Sequence, residues 1–104
     1  MRKVVLDTNV IVSALLSPGG PPARILDLVI TGQLLLCFES RIIAEYSNVL
    51  RRPKFGFDPQ AVDQLIGLLM QMGISVLAQP STIDLIDESD RVFFDVAQTA
   101  GAYL

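Results

Sequence analysis

The chain has 104 residues and a net charge of −3, which is the length of one domain and excludes a uniformly basic nucleic-acid binder. It has no histidine and one cysteine, so a zinc site, a Ser-His-Asp or Cys-His catalytic system and an internal disulfide are excluded. Its longest apolar runs are far shorter than the ~20 residues of a membrane span, and Asp7 interrupts the N-terminal apolar stretch too early for a signal peptide. We therefore expect a cytoplasmic protein with no membrane partner, in which Cys37 is a core residue.

The charges are divided unevenly between the two halves of the chain. Residues 1–55 carry seven Lys or Arg and four acids, whereas residues 56–104 carry one Arg and seven acids. One half can therefore meet phosphates while the other supplies carboxylates. The alternative is an ordinary surface on which the charges of a short chain happen to be uneven.

Predicted strands alternate with predicted helices along the chain. In order, we expect a strand at 3–6, helices at about 9–16 and 22–31, a strand at 34–38, helices at 40–52 and 58–72, a strand at 74–78 and a helix at about 88–100. Asp58 and Ser40 are the expected N-caps, and Gly32, Pro53 and Gly73 are expected to end helices.

This alternation predicts an α/β fold, a three-layer α/β/α sandwich around a parallel central sheet. Residues 102–104 have the apolar character of a fourth strand that has only begun. We therefore expect one domain over residues 1–104 that is incomplete at its C-terminal end, with its C-terminal strands missing. An exposed sheet edge would follow, and we expect self-association.

Asp7 is the most informative residue, because it follows a buried strand directly and precedes Thr8 and Asn9. Ligands of open α/β sheets bind at the carboxyl ends of the strands, so a carboxylate there is expected to belong to a site. An unpaired buried carboxylate is costly and needs a cation, hydrogen-bond donors or water. The other interpretation is that Asp7 caps the helix that begins near Asn9.

Glu45 lies on the shoulder of the apolar stripe of helix 40–52, about 60° from Ile42. Such an acid is half sheltered and still reaches a cleft. Arg41 and Arg52 lie on the same side of the helix and are candidates for phosphate contacts. The alternative is an exposed Arg41–Glu45 ion pair, which would contribute only about 0.3–0.5 kcal/mol.

The last predicted helix carries Asp90 and Asp95 on opposite shoulders of its apolar stripe, about 140° apart. They cannot easily bind one ion from the same face, and we expect Asp90 rather than Asp95 to face the site. Capping of the helix by Asp87 or Asp90 is the alternative.

Three acids from three separate segments are typical of an oxygen-only cation site. With no histidine in the chain, the expected ion is Mg²⁺ or Mn²⁺. Close carboxylates repel each other unless a cation joins them.

These residues together resemble the PIN-domain family and, more narrowly, the VapC-like toxin components of bacterial toxin–antitoxin systems. The matching stretches are Val5–Val10, Ser13–Ala23, Ser40–Glu45, Val49–Phe55 and Asp87–Phe93, with Ala97, Gly101 and Ala102. The resemblance runs along essentially the whole chain. The family usually continues into a Thr-Gly-Asp or Thr-Gly-Asn loop, which this sequence lacks.

The resemblance implies a Mg²⁺- or Mn²⁺-dependent ribonuclease with an RNA substrate, a cognate antitoxin and a homodimeric state. It assigns catalysis and metal binding to Asp7, Glu45 and Asp90. Thr8 and Asn9 stand beside the first acid, and Asp95 matches a secondary acidic position.

Two other functions remain open from the sequence. The first is a phosphotransferase that forms an aspartyl-phosphate on Asp7, but Asn9 stands where the haloacid-dehalogenase-like family needs a second aspartate. The second is a catalytically inactive or truncated PIN module that acts through an antitoxin or through self-association.

Overall fold

A computed structural model of the chain describes residues 1–78 and 88–103, and it gives an α/β fold. Its strands are β1 (Arg2–Val4), β2 (Leu34–Phe38) and β3 (Ile74–Ser75). Its helices are α1 (Thr8–Leu16), α2 (Pro21–Ile30), α3 (Ser40–Leu50), α4 (Pro59–Met72) and α5 (Glu88–Ala100), with one 3₁₀ turn at Pro53–Phe55.

The three strands form a parallel sheet in the order β1-β2-β3. Tyr103 forms a parallel bridge with Val4, in which the Tyr103 N–H donates to the Lys3 carbonyl at 2.9 Å and the Val5 N–H donates to the Tyr103 carbonyl at 2.7 Å. The predicted fold class and the beginning of a further parallel strand at Tyr103 are therefore confirmed. Leu104 lies outside the described residues.

The core forms around β2, where Leu36, Cys37 and Phe38 are buried against the helices. Cys37 is a core residue as expected, and burial raises the pKa of its thiol. No helix in the described part of the chain is long and apolar enough to cross a membrane.

Several element boundaries differ from the predicted ones. β1 ends at Val4, and two residues later the Leu6 carbonyl accepts a hydrogen bond from the Tyr46 hydroxyl. Glu39, not Ser40, is the N-cap of α3, and its carbonyl accepts the N–H of Ile43. α3 ends before Arg52 because Arg52 takes the extended conformation that a following proline favours.

Gly73 allows α4 to end directly against the central strand. A Cβ atom at this position would lie 2.6 Å from the Leu36 carbonyl oxygen. Gly67, in the exposed middle of α4, has open space around the same position. An alanine side chain would therefore overlap with its surroundings at Gly73 but not at Gly67.

We predict that Gly73→Ala destabilises the fold by about 1–3 kcal/mol, because the strand or the helix must move to relieve the overlap. We expect Gly67→Ala to stabilise it by about 0.5–1 kcal/mol, because alanine is the better helix former. Urea denaturation of both variants measures the difference. A Gly73→Ala protein with the wild-type midpoint would show that the contact is not close.

Candidate active site

Asp7 is the third residue after β1 and serves as the N-cap of α1. Its Oδ1 accepts the backbone N–H of Asn9 at 3.0 Å, and its side chain is exposed. The prediction that Asp7 caps a helix is thus confirmed. It is compatible with a role of Asp7 in a ligand site, because the carboxylate remains open to solvent. The positive end of the α1 dipole favours a negative charge here.

Thr8 joins the segment of the first acid to the helix of the second. Its hydroxyl, 5% exposed, donates to Oε2 of the partly buried Glu45 at 2.6 Å. A short hydrogen bond to an ionised acceptor fixes the rotamer of the carboxylate. Glu45 is therefore tied to Thr8, the residue that follows Asp7 in the chain.

Arg41 does not pair with Glu45, so the ion pair offered as the alternative for that acid is wrong. The Arg41 guanidinium instead binds both carboxylate oxygens of Glu39. This contact lowers the pKa of Glu39 and raises the pKa of Arg41. The fork geometry of arginine explains the preference, since Glu39 offers both oxygens two residues away.

Tyr46 is a site residue that the sequence reasoning missed. It is fully buried, and its hydroxyl donates to the Leu6 carbonyl, one residue before Asp7, at 2.5 Å. Burial raises the pKa of its phenol, and the nearby charges of Asp7 and Glu45 raise it further. The sequence carried one signal: a tyrosine within an apolar stripe needs a partner for its hydroxyl.

Asp95 and Asp90 differ sharply in their surroundings. Asp95 is 4% exposed, whereas Asp90 in the first turn of α5 is exposed. Although the hydrogen bond to Glu39 is the largest cause of the raised pKa of Arg41, the charge of Asp95 contributes to it. The apolar stripe of the helix placed Asp95 on its shoulder, so the sequence predicted a lesser role for Asp95 than for Asp90. In the structure, α5 packs against both β2 and α3 and buries a wider face than the stripe.

The remaining predicted residues lie at the surface. Asn9 is exposed and contributes only its backbone N–H to Asp7. Arg52 is exposed at the end of α3. Asp87, the other candidate cap of α5, lies outside the described residues.

The donor set suits a small, hard cation. Asp7 and Glu45 offer carboxylate oxygens, and Mg²⁺ is commonly held by one or two carboxylates while it keeps several waters. Within residues 1–78 and 90–103, no three Asp, Glu or Cys side chains are grouped closely enough to hold one ion. The metal-binding roles of Asp7, Glu45 and Asp90 therefore stay predictions.

The sequence model of the PIN-domain family matches residues 3–104. The chain belongs to the PIN-domain family. It is also 31% identical over 105 aligned residues to an uncharacterized protein of Methanocaldococcus jannaschii, an alignment that covers 98% of this chain and 68% of that protein. No solved structure matches the chain significantly. PIN domains are generally nucleases that use divalent metal ions, which supports a hydrolase.

Proposed function

We propose that this PIN domain is a ribonuclease that uses Mg²⁺ or Mn²⁺, with the ion held by Asp7, Glu45 and Asp90. The observation that supports the proposal best is the hydrogen bond from Thr8 to Glu45, because it ties the helix that carries Glu45 to the residue that follows Asp7. The oxygen-only donors and the absence of histidine from the chain support the choice of metal.

Each residue of the site has a distinct task in this reaction. The ion, when bound, acidifies a water molecule and offsets charge on the phosphate. Asp7 is held by the N-terminus of α1, and Thr8 orients Glu45. Arg52 is the better of the two candidates for a phosphate contact, because Glu39 already occupies the guanidinium of Arg41.

The direct test is cleavage of an end-labelled single-stranded RNA by the purified protein with Mg²⁺, with Mn²⁺ or with EDTA. We expect cleavage with either ion and none with EDTA. Intact RNA under all three conditions would contradict the proposal and favour the inactive module. Acid-labile phosphate on Asp7 after incubation with a phosphoryl donor would instead support the phosphotransferase.

We also propose the biological role of a toxin that is neutralised by a cognate antitoxin, with a homodimer as the assembled form. Large apolar side chains exposed on α2 and α4, Ile25, Leu28, Met70 and Met72, support association. Growth arrest on expression, relieved by Asp7→Asn, tests the toxin role. Light scattering over a concentration series tests the dimer, which a stable monomer at high concentration would contradict.

The assignment of the third acid gives a separate prediction. We expect Asp90→Asn to weaken Mn²⁺ binding about tenfold or more without changing the melting temperature, because Asp90 is exposed. Asp95→Asn should mainly lower the melting temperature, because Asp95 is buried and a change to a buried polar group that has a partner is costly. Calorimetry with Mn²⁺ and thermal melts of both variants separate the effects. The reverse pattern would make Asp95 the ligand.

A further inference from the structure

The turn that follows α3 combines positive charge with aromatic rings. Residues 51–57, here named the basic turn, have the sequence Arg-Arg-Pro-Lys-Phe-Gly-Phe. The Phe55 and Phe57 rings stack with their centroids 5.5 Å apart and their planes inclined by 13°. The Lys54 ammonium lies 5.1 Å from the centroid of Phe55. Cations interleaved with aromatic rings are typical of surfaces that bind single-stranded nucleic acid.

The backbone of the basic turn has a fixed conformation. Pro53 opens the 3₁₀ turn, and Gly56 closes it in the left-handed region at φ 64°, which other residues rarely adopt. The Arg51 guanidinium binds Asp63 of α4 and the Ser47 hydroxyl of α3. The turn is therefore tied to both helices, so its exposed groups are already in place before a ligand binds.

Two of the three cations of the turn are directed to solvent. Asp63 offsets the charge of Arg51, whereas Arg52 and Lys54 are exposed. Arginine forks and lysine ammonium groups are the usual partners of backbone phosphates. The turn thus offers two positive charges to a polyanion.

An apolar cavity of about 230 Å³ adjoins the turn. Phe57 forms one wall, and the other lining residues are Leu15, Asp58, Ala61, Val62 and Leu65. Flat apolar walls suit the face of an unpaired base. The carboxylate of Asp58 can accept a hydrogen bond from a base amino group at the edge of the cavity.

The basic turn also lies close to the proposed catalytic acids along the chain. α3 ends five residues after Glu45, which corresponds to about 8 Å along the helix axis. A strand bound at the turn needs only a few nucleotides to reach the carboxylates.

We propose that the basic turn and its cavity bind single-stranded RNA, with Arg52 and Lys54 at backbone phosphates and one unpaired base against Phe57. This rests on the proposed ribonuclease function and names where the substrate strand is held. Binding and cleavage are separable, because the strand can be bound in EDTA, where no cleavage is expected.

The test is fluorescence anisotropy of a labelled single-stranded RNA with the full chain in EDTA, over a series of salt concentrations. We compare wild type, Arg52→Gln/Lys54→Gln, Ala61→Leu and the control Arg24→Gln, an exposed cation on α2. The double variant should bind about tenfold more weakly at low salt. The slope of log affinity against log salt should become shallower by about 1.4, because each phosphate contact on a single strand contributes about 0.7.

Ala61→Leu fills the cavity without changing charge, so we expect about fivefold weaker binding with an unchanged salt slope. Arg24→Gln should bind like wild type. The proposal is overturned if the double variant keeps the wild-type slope or if Arg24→Gln loses as much affinity. It is also overturned if wild type binds no RNA and the double variant instead changes the mass measured by light scattering, since the turn would then be a protein interface.

The two proposals fail in different ways. A wild-type protein that binds RNA through the turn but never cleaves it with Mn²⁺ contradicts the ribonuclease and leaves the binding site. Cleavage that is lost in Asp7→Asn, with wild-type binding by the double variant, contradicts the turn alone. The salt slope of the double variant decides the question even if Ala61→Leu does not fold.

Discussion

Asp7→Asn should reduce RNA cleavage by at least about a hundredfold and leave the fold unchanged, because it removes a metal-binding charge while keeping the shape of the side chain. Asparagine is as good an N-cap as aspartate, so the hydrogen bond from the Asn9 N–H can persist. The rate of cleavage with Mn²⁺ and the melting temperature are measured on the same preparation. The loss should therefore appear in activity alone.

Asp7→Ala is the matched control, since it removes both the charge and the cap. We expect the same loss of cleavage, together with a loss of stability of about 0.5–2 kcal/mol. Wild-type cleavage by Asp7→Asn would refute the catalytic assignment. A large drop in its melting temperature would mean that Asp7 acts mainly through the start of α1.

Tyr46→Phe should destabilise the protein by about 1–3 kcal/mol and also lower cleavage. The variant keeps the ring, which packs at 6.3 Å from Phe93 of α5, but leaves the buried Leu6 carbonyl without its hydroxyl partner. Because Leu6 immediately precedes Asp7, we expect a lower kcat more than a changed KM. Tyr103→Phe, at a tyrosine that is 66% exposed, should change neither quantity.

Tyr46→Phe should also change how the stability of the protein depends on pH in the alkaline range. The folded protein holds the Tyr46 phenol with a raised pKa, so the neutral form contributes its full stability below the unfolded pKa of about 10. Stability is then lost as the pH rises above that value, because the unfolded chain releases the proton more readily. Tyr46→Phe should lack this part of the decline. An identical decline in both proteins would show that the phenol ionises as freely when folded.

Most of the fold could be predicted because capping residues, prolines and glycines mark the ends of its helices. Asp58 and Pro59 open α4, Gly32 ends α2, and β2 was predicted with its observed bounds. β3 was predicted too long, since it comprises Ile74 and Ser75 and continues only as one hydrogen bond from the Val76 N–H to the Phe38 carbonyl. The apolar content of a segment does not predict over how many residues the strand pairs with its neighbour.

The acidic residues of the candidate site could be predicted from the sequence, but the hydrogen bonds that hold them could not. Asp7 and Glu45 follow from a strand end and a helix shoulder, which depend on local periodicity. The bonds from Thr8 to Glu45 and from Tyr46 to Leu6 join positions that are 37 and 40 residues apart. The burial of Asp95 depends on how α5 packs against its neighbours, which a helical wheel of one helix does not contain.

We propose that Asp7 and Glu45 together hold the divalent ion, and the decisive experiment is calorimetric titration with Mn²⁺. We compare wild type with Asp7→Asn and Glu45→Gln, and use Asp63→Asn as a control because that acid pairs with Arg51 away from the site. We expect binding by wild type and by the control, and binding weakened about tenfold or more in each site variant. Equal Mn²⁺ affinity in all four proteins would contradict it.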